Sequence, residues 1–143
     1  MSCLFRSLSH HVYNLGTEEL RQMICNYLES DPCIMGEKFS NWLVILQQNP
    51  SSISLSIPLS PLSSSQHLKD YVQSMRRPST WGGGIEINSF CELFDTRVMV
   101  HHHRGRFRES SKQPIEFLPS KNNYQHTIHI SYNGVHYEPM HIE

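Results

Sequence analysis

The apolar residues of this chain change period once, at Asp95, and that change limits the possible folds more than any other feature. Before Asp95 they recur at three- and four-residue steps, the period of a helix that buries one face. After it they alternate, as in strands with one buried face: Val98 and Val100, Ile115 and Phe117, then Ile128, Ile130 and Tyr132. Helices first and strands last describe an α+β fold, with helices packed around a small, mainly antiparallel sheet. At 143 residues, one domain spanning 1–143 is expected.

In the helical part, Leu4, Phe5, Leu8, Val12 and Leu15 form a first stripe. Thr17 is placed as an N-cap, with Glu18 and Glu19 in the first turn, where the helix dipole favours acids. Leu20, Met23, Ile24, Tyr27 and Leu28 form a second stripe, and Asp31-Pro32 ends it. Two shorter amphipathic helices are expected around Phe39, Trp42, Leu43 and Leu46, and around Leu68, Tyr71, Val72 and Met75. Between them residues 49–66 hold three prolines and eight serines, which predicts a surface insertion loop with a short edge strand as the other reading. Gly82, Gly83 and Gly84 interrupt any helix, so a loop feeds a buried helix carrying Ile87, Phe90, Cys91 and Phe94. Asn133-Gly134 predicts a two-residue hairpin turn, since both residues tolerate positive φ.

Composition excludes several classes. A net charge of -1 argues against a chain built mainly to hold polyanions, and no apolar run approaches the ~18 residues of a membrane span. Cys3, Cys25, Cys33 and Cys91 lie far apart, and no export signal is evident, so reduced thiols and an intracellular, cytoplasmic setting are expected, in the organism's own cell or in a host. Cys25, Cys33, Cys91, Trp42, Met23 and Met75 read as core packing. The run HHHRGRFR at 101–108 reads as a basic loop leaving a strand, as a contact for a protein partner, or as a grip on a phosphate backbone through Arg104, Arg106 and Arg108. Three adjacent histidines on a strand alternate faces and do not converge on one ion, so no metal site is expected there.

The chemistry is concentrated at the two ends. On a strand reading VHYEPM, His136 and Glu138 share one face, so the carboxylate can orient the imidazole and stabilise its protonated form. Cys3 opens a helix, where unpaired N–H groups favour a thiolate. A buried structural thiol is the plainer reading of Cys3. A nucleophile on a helix start with its base on a distant strand is the sharper one, and it is the logic of papain-like thiol hydrolases.

These residues carry a resemblance. CLFRSLS at 3–9 is similar to the nucleophile segment of the ovarian-tumour-type (OTU) cysteine proteases, the deubiquitinases. ELRQMICNYL resembles the family's second helix, LKDYVQSMRRPSTWGGGIEINSFCELF its Tyr-x-x-x-Met, Trp-Gly-Gly and Ile-Glu run, and IHISYNGVHYEPM its terminal hairpin. The order of the four segments agrees over nearly the whole chain, leaving 49–66 and about 101–125 as the variable parts.

The resemblance implies a papain-like fold and hydrolysis of isopeptide bonds at the C-terminal glycine of ubiquitin or a ubiquitin-like protein, by a monomer needing neither metal nor organic cofactor. It implies Cys3 as nucleophile, His136 as base and Glu138 as the orienting third member. Trp81, Gly82, Gly83 and Gly84 would line the approach of an extended tail. Glu86 is open to two readings, an acid that meets the basic tail of ubiquitin or a helix-start acid satisfying local N–H groups. The family's Asp-Gly-Asn before the cysteine is replaced here by Met1 and Ser2. The alternative expectation is therefore an impaired OTU-like module that binds ubiquitin without efficient cleavage.

Overall fold

The computed structural model describes residues 3–34, 37–47, 64–102, 114–120 and 123–140. In chain order the elements are α1 (Cys3–Ser9), α2 (Thr17–Glu29), β1 (Cys33–Ile34), β2 (Glu37–Lys38), α3 (Phe39–Gln47), α4 (Ser64–Met75), α5 (Gly84–Phe94), β3 (Thr96–His102), β4 (Ile115–Phe117), β5 (His126–Tyr132) and β6 (Tyr137–Met140). The change of period at Asp95 is a physical boundary. Asp95 takes the left-handed conformation (φ 47°) that closes α5, and β3 begins at the next residue.

The main sheet has the order β4-β3-β5-β6. Its outer pairs, β3 with β4 and β5 with β6, are antiparallel, while the central pair of β3 and β5 is parallel. The chain therefore passes from β4 on one side of β3 to β5 on the other. β1 and β2 form a separate antiparallel pair.

The core is shared by the helices and the central strands. Leu4, Phe5 and Leu8 of α1, Leu20, Ile24 and Leu28 of α2, Ile87 and Phe90 of α5, and Val98 and Ile130 of the sheet are all buried. Phe39 of α3 closes against Tyr71 of α4, with ring centroids 5.1 Å apart. Among the described residues no helix is long and apolar enough to cross a membrane.

Several local expectations are corrected. The first stripe outlasts its helix: α1 ends at Ser9, and Val12 and Leu15 pack on the core from a turn in which Asn14 is left-handed (φ 61°). Thr17 is the first residue of α2, not its cap. Gly16 holds the cap position in extended conformation, and its carbonyl accepts from the Leu20 N–H at 2.9 Å. Met23 lies on the outward side of α2 and is exposed, and Cys33 is exposed on β1, so neither is core. Residues 64–66 of the expected insertion already belong to α4, and 49–63 lie outside the described residues.

The hairpin is real, but its loop is 133–136, because Tyr132 pairs with Tyr137. Asn133 accounts for the added length. Its Oδ1 accepts from the N–H groups of Val135 (2.9 Å) and His136 (2.7 Å), and Gly134 follows with φ 99°.

Candidate active site

Cys3 is half-buried at the start of α1, where the Ser7 hydroxyl donates to its carbonyl at 2.8 Å. The next two residues anchor the helix: Leu4 and Phe5 are buried, and α1 packs against β6. Tyr137 of β6 stacks on Tyr132 with ring centroids 4.3 Å apart. Burial pushes the Tyr137 hydroxyl up to about 12, with Tyr132 adding to the shift and the charge that Cys3 would carry as a thiolate adding further. Cys3 is thus an electrostatic neighbour of the strand that follows His136.

His136 is the last residue of the hairpin loop. Its N–H donates to Asn133 Oδ1, and its carbonyl accepts from the Asn133 N–H at 3.2 Å, so the backbone of the histidine is fixed on both sides of the residue. Its Nε2 lies 3.6 Å from Glu138 Oε1, an ion-pair distance longer than a hydrogen bond. Both side chains are open to solvent. Nε2 is thus the ring nitrogen turned toward Glu138.

A second feature is an open groove of about 400 Å³, lined by Trp81, Gly82, Gly83, Gly84, Glu86, Tyr71, Met75 and neighbouring residues. Cys3, His136 and Glu138 are not among its lining residues. What joins the groove to the helix opened by Cys3 is Gly82. A Cβ at this position would stand 2.8 Å from Leu4 Cδ2 and 3.1 Å from Phe5 Cε2, so the glycine loop touches the helix that Cys3 opens. Among the described residues nothing lies within 4 Å of a Cβ added at Gly83. Trp81 is half-exposed on the same rim.

Glu86 takes the second of its two readings, the helix-start acid. It is 1% exposed and both carboxylate oxygens are engaged: Oε1 accepts from the Gly83 N–H at 2.7 Å, and Oε2 from the Tyr71 hydroxyl at 2.6 Å. Its position, third in α5 with Gly83 as cap, is that of a capping-box acid. A docked basic tail therefore does not meet this carboxylate. Burial raises the Glu86 pKa, opposed by the hydrogen bonds from Tyr71 and Gly83 and by the Arg21 charge. Burial likewise pushes the Cys25 thiol up to about 11 and Cys91 up to about 12, leaving both protonated and inert near neutrality.

Two groups escaped the sequence reading. Arg21 is fully buried beneath the loop that leads to Trp81. Its signal was present, because Arg21, Ile24 and Leu28 repeat at helical spacing along the apolar face. The other is an imidazole pair: His101 Nε2 lies 2.9 Å from His129 Nδ1 on the neighbouring strand. His101 and His102 belong to β3, and the remainder of the 101–108 run, with Arg104, Arg106 and Arg108, lies outside the described residues.

The OTU-like cysteine protease family model matches residues 2–137. The chain belongs to that family. Among curated proteins it is similar to ubiquitin thioesterase OTU1 of Mus musculus, 23% identical over 145 aligned positions, and of Gallus gallus, 24% identical over 144. Each alignment covers 97% of this chain but 33% of the mouse protein and 37% of the chicken protein, so the chain spans about a third of the length of these relatives.

The fold is shared with an OTU domain solved in complex with ubiquitin, at TM-score 0.60 and 21% identity over 96% of this chain and 62% of that one. It is also shared with an OTU deubiquitinase from Wolbachia pipientis wMel bound to ubiquitin, at TM-score 0.56 and 19% identity over 96% and 88%. The α+β, papain-like architecture expected for an OTU domain is therefore the one this chain adopts.

Proposed function

We propose that this OTU-family chain is a cysteine-dependent deubiquitinase that cleaves isopeptide bonds at the C-terminal glycine of ubiquitin or a ubiquitin-like protein. The observation that carries the reading is the His136–Glu138 pair beside a strand that packs on the helix opened by Cys3. In this mechanism His136 takes the thiol proton of Cys3, and the thiolate attacks the glycine carbonyl. The imidazolium returns its proton to the leaving lysine amine, and water hydrolyses the thioester. Glu138 orients the ring and stabilises the imidazolium. The tail enters along Trp81 and the backbone of Gly83, where the absence of close neighbours among the described residues leaves room for an extended chain. The names of the related ubiquitin thioesterases and the ubiquitin-bound OTU structures support ubiquitin as the partner.

A second reading is a module that binds ubiquitin and cleaves it poorly. It is favoured by one observation, the exposed Glu138 at 3.6 Å from the ring it should orient. Labelling with a ubiquitin bearing a C-terminal electrophile separates the two. The hydrolase reading expects a covalent adduct that is lost in Cys3→Ala and in His136→Ala. Binding of ubiquitin with no adduct at Cys3 would leave the second reading standing.

A further inference from the structure

We propose that Arg21 is a positioning residue for the substrate-approach loop, setting the affinity for the ubiquitin tail rather than the chemistry at Cys3; this rests on the deubiquitinase reading above. Arg21 is 0% exposed on α2, and its guanidinium collects the carbonyls of a single turn. Nη1 donates to the Met75 carbonyl at 2.7 Å, and Nη2 donates to those of Thr80 (3.0 Å) and Pro78 (3.3 Å). Met75 closes α4, and Thr80 is the residue before Trp81. The turn between them is therefore wrapped around one buried cation. A planar fork with several fixed donors can do this, whereas an ammonium reaches fewer acceptors at once.

The same guanidinium lies over the Phe5 ring, 4.2 Å from its centroid, with Glu18 Oε2 3.8 Å from Nε. Phe5 and Leu4 are also the side chains that Gly82 touches. Arg21 thus bears on the loop directly, through three carbonyls, and on the helix that the loop packs against, through Phe5. Removing the guanidinium would leave these carbonyls without their donor, so Arg21 contributes to stability as well as fixing the loop beside Cys3. The test therefore needs readouts that a loss of stability alone does not move.

The test compares Arg21→Met and Arg21→Lys with the unaltered chain. Fluorogenic ubiquitin substrates are expected to show KM raised roughly tenfold in Arg21→Met with kcat changed by less than about threefold, the pattern of lost binding common to ground and transition states. In a Cys3→Ala background ubiquitin affinity is expected to fall by the same factor. Arg21→Lys, which keeps one or two of the carbonyl contacts, is expected to lie between. Alkylation of Cys3 by iodoacetamide is expected to keep its rate, since a small reagent does not use the loop.

In a Trp42→Phe background, where Trp81 is the sole tryptophan, Arg21→Met is expected to alter acrylamide quenching of Trp81. Unchanged KM and unchanged quenching in a folded variant would overturn the proposal, as would equal losses in kcat and in Cys3 alkylation. If Arg21→Met fails to fold, Arg21→Lys decides by the same measures. An unaltered chain that neither binds nor cleaves ubiquitin would overturn the deubiquitinase reading instead, and Trp81 quenching would then still show whether Arg21 shapes the loop.

Discussion

The loop 76–83 and the loop 133–136 both lead into residues assigned to the site, yet they are held by opposite means. The first hangs on buried ionisable groups from other elements: Arg21, 54 to 59 positions away in sequence from the carbonyls it binds at Met75 and Thr80, and Glu86, which takes the Gly83 N–H while Tyr71 braces it. The second is exposed and organised locally, by Asn133 within it, whose partners lie two and three residues on, and by the Tyr132 hydroxyl, which donates to the Gly134 carbonyl. A loop anchored in the core moves only if the core opens, whereas a locally closed turn can rearrange while the rest stays folded. The glycine loop is thus tied to the core, whereas the turn carrying His136 is closed by contacts near it in sequence. Altering the buried anchors should accordingly cost stability first, and altering the turn should cost function first.

The largest expected effect of a single change in this comparison is Tyr71→Phe. It leaves a buried carboxylate oxygen without its donor, at a cost of about 1.5–3 kcal/mol, as for hydrogen bonds to charged groups. The effect should depend on pH with a definite sign. Burial holds the Glu86 pKa above the ordinary 4.5, so as pH rises past that value the unfolded chain ionises first. The folded state then binds more protons, and stability declines until the folded group has ionised as well. Removing the Tyr71 hydroxyl raises Glu86 further, so the window extends upward and the loss measured by urea unfolding is larger at pH 7 than at pH 5. Glu86→Gln should flatten this part of the profile. Equal losses at both pH values would show that Glu86 is not the group the hydroxyl supports.

Next in size is the contrast between adjacent glycines. Gly82→Val forces atoms into Leu4 and Phe5 and should destabilise by about 1–3 kcal/mol. Gly83→Ala meets nothing within 4 Å among the described residues and adopts a φ of -150°, so its stability should stay within about 0.5 kcal/mol of the original. Thermal unfolding of the two variants measures how closely the loop is clamped to α1. Similar melting points would break the idea that Gly82 is there for close approach.

The same division between local and distant causes decides what could be read from the sequence. The change of period at Asp95, the end of α2 before Asp31-Pro32, and Gly82 and Gly83 ahead of α5 are local effects and stand where the residues place them, while Gly84 is taken into the first turn of α5. The closeness of His136 and Glu138 was expected from strand alternation, but β6 begins at Tyr137, and the two stand 3.6 Å apart with the histidine at the end of the loop. The loop length itself depended on Asn133 choosing backbone N–H partners with its side chain, a choice that the Asn-Gly pair alone does not reveal. The parallel pairing of β3 with β5, the burial of Arg21 and the engagement of Glu86 with Tyr71 are settled by contacts across the fold. Residue type alone does not reveal that these two are buried, and only their partners explain why they are inside.

A small effect on stability, and the sharpest probe of the comparison, is expected at Asn133. Asn133→Ala removes an acceptor shared by two exposed N–H groups, which water can replace, so unfolding should shift by only about 0.5–1 kcal/mol. Its effect on catalysis should be larger, because the His136 N–H is one of those two groups and the proposed mechanism needs the imidazole to reach the Cys3 thiol. A displacement of an ångström at a reacting group can cost roughly a hundredfold, and a drop in kcat of at least about tenfold with little change in KM is expected. Asn133→Asp keeps an acceptor oxygen in the same place and should restore most of the rate. This pattern is the reverse of that expected for Arg21→Met, where KM moves and kcat does not. If Asn133→Ala lowered stability as much as Tyr71→Phe and left kcat intact, the hairpin would be a structural element like the glycine loop, and the contrast between the two would fail.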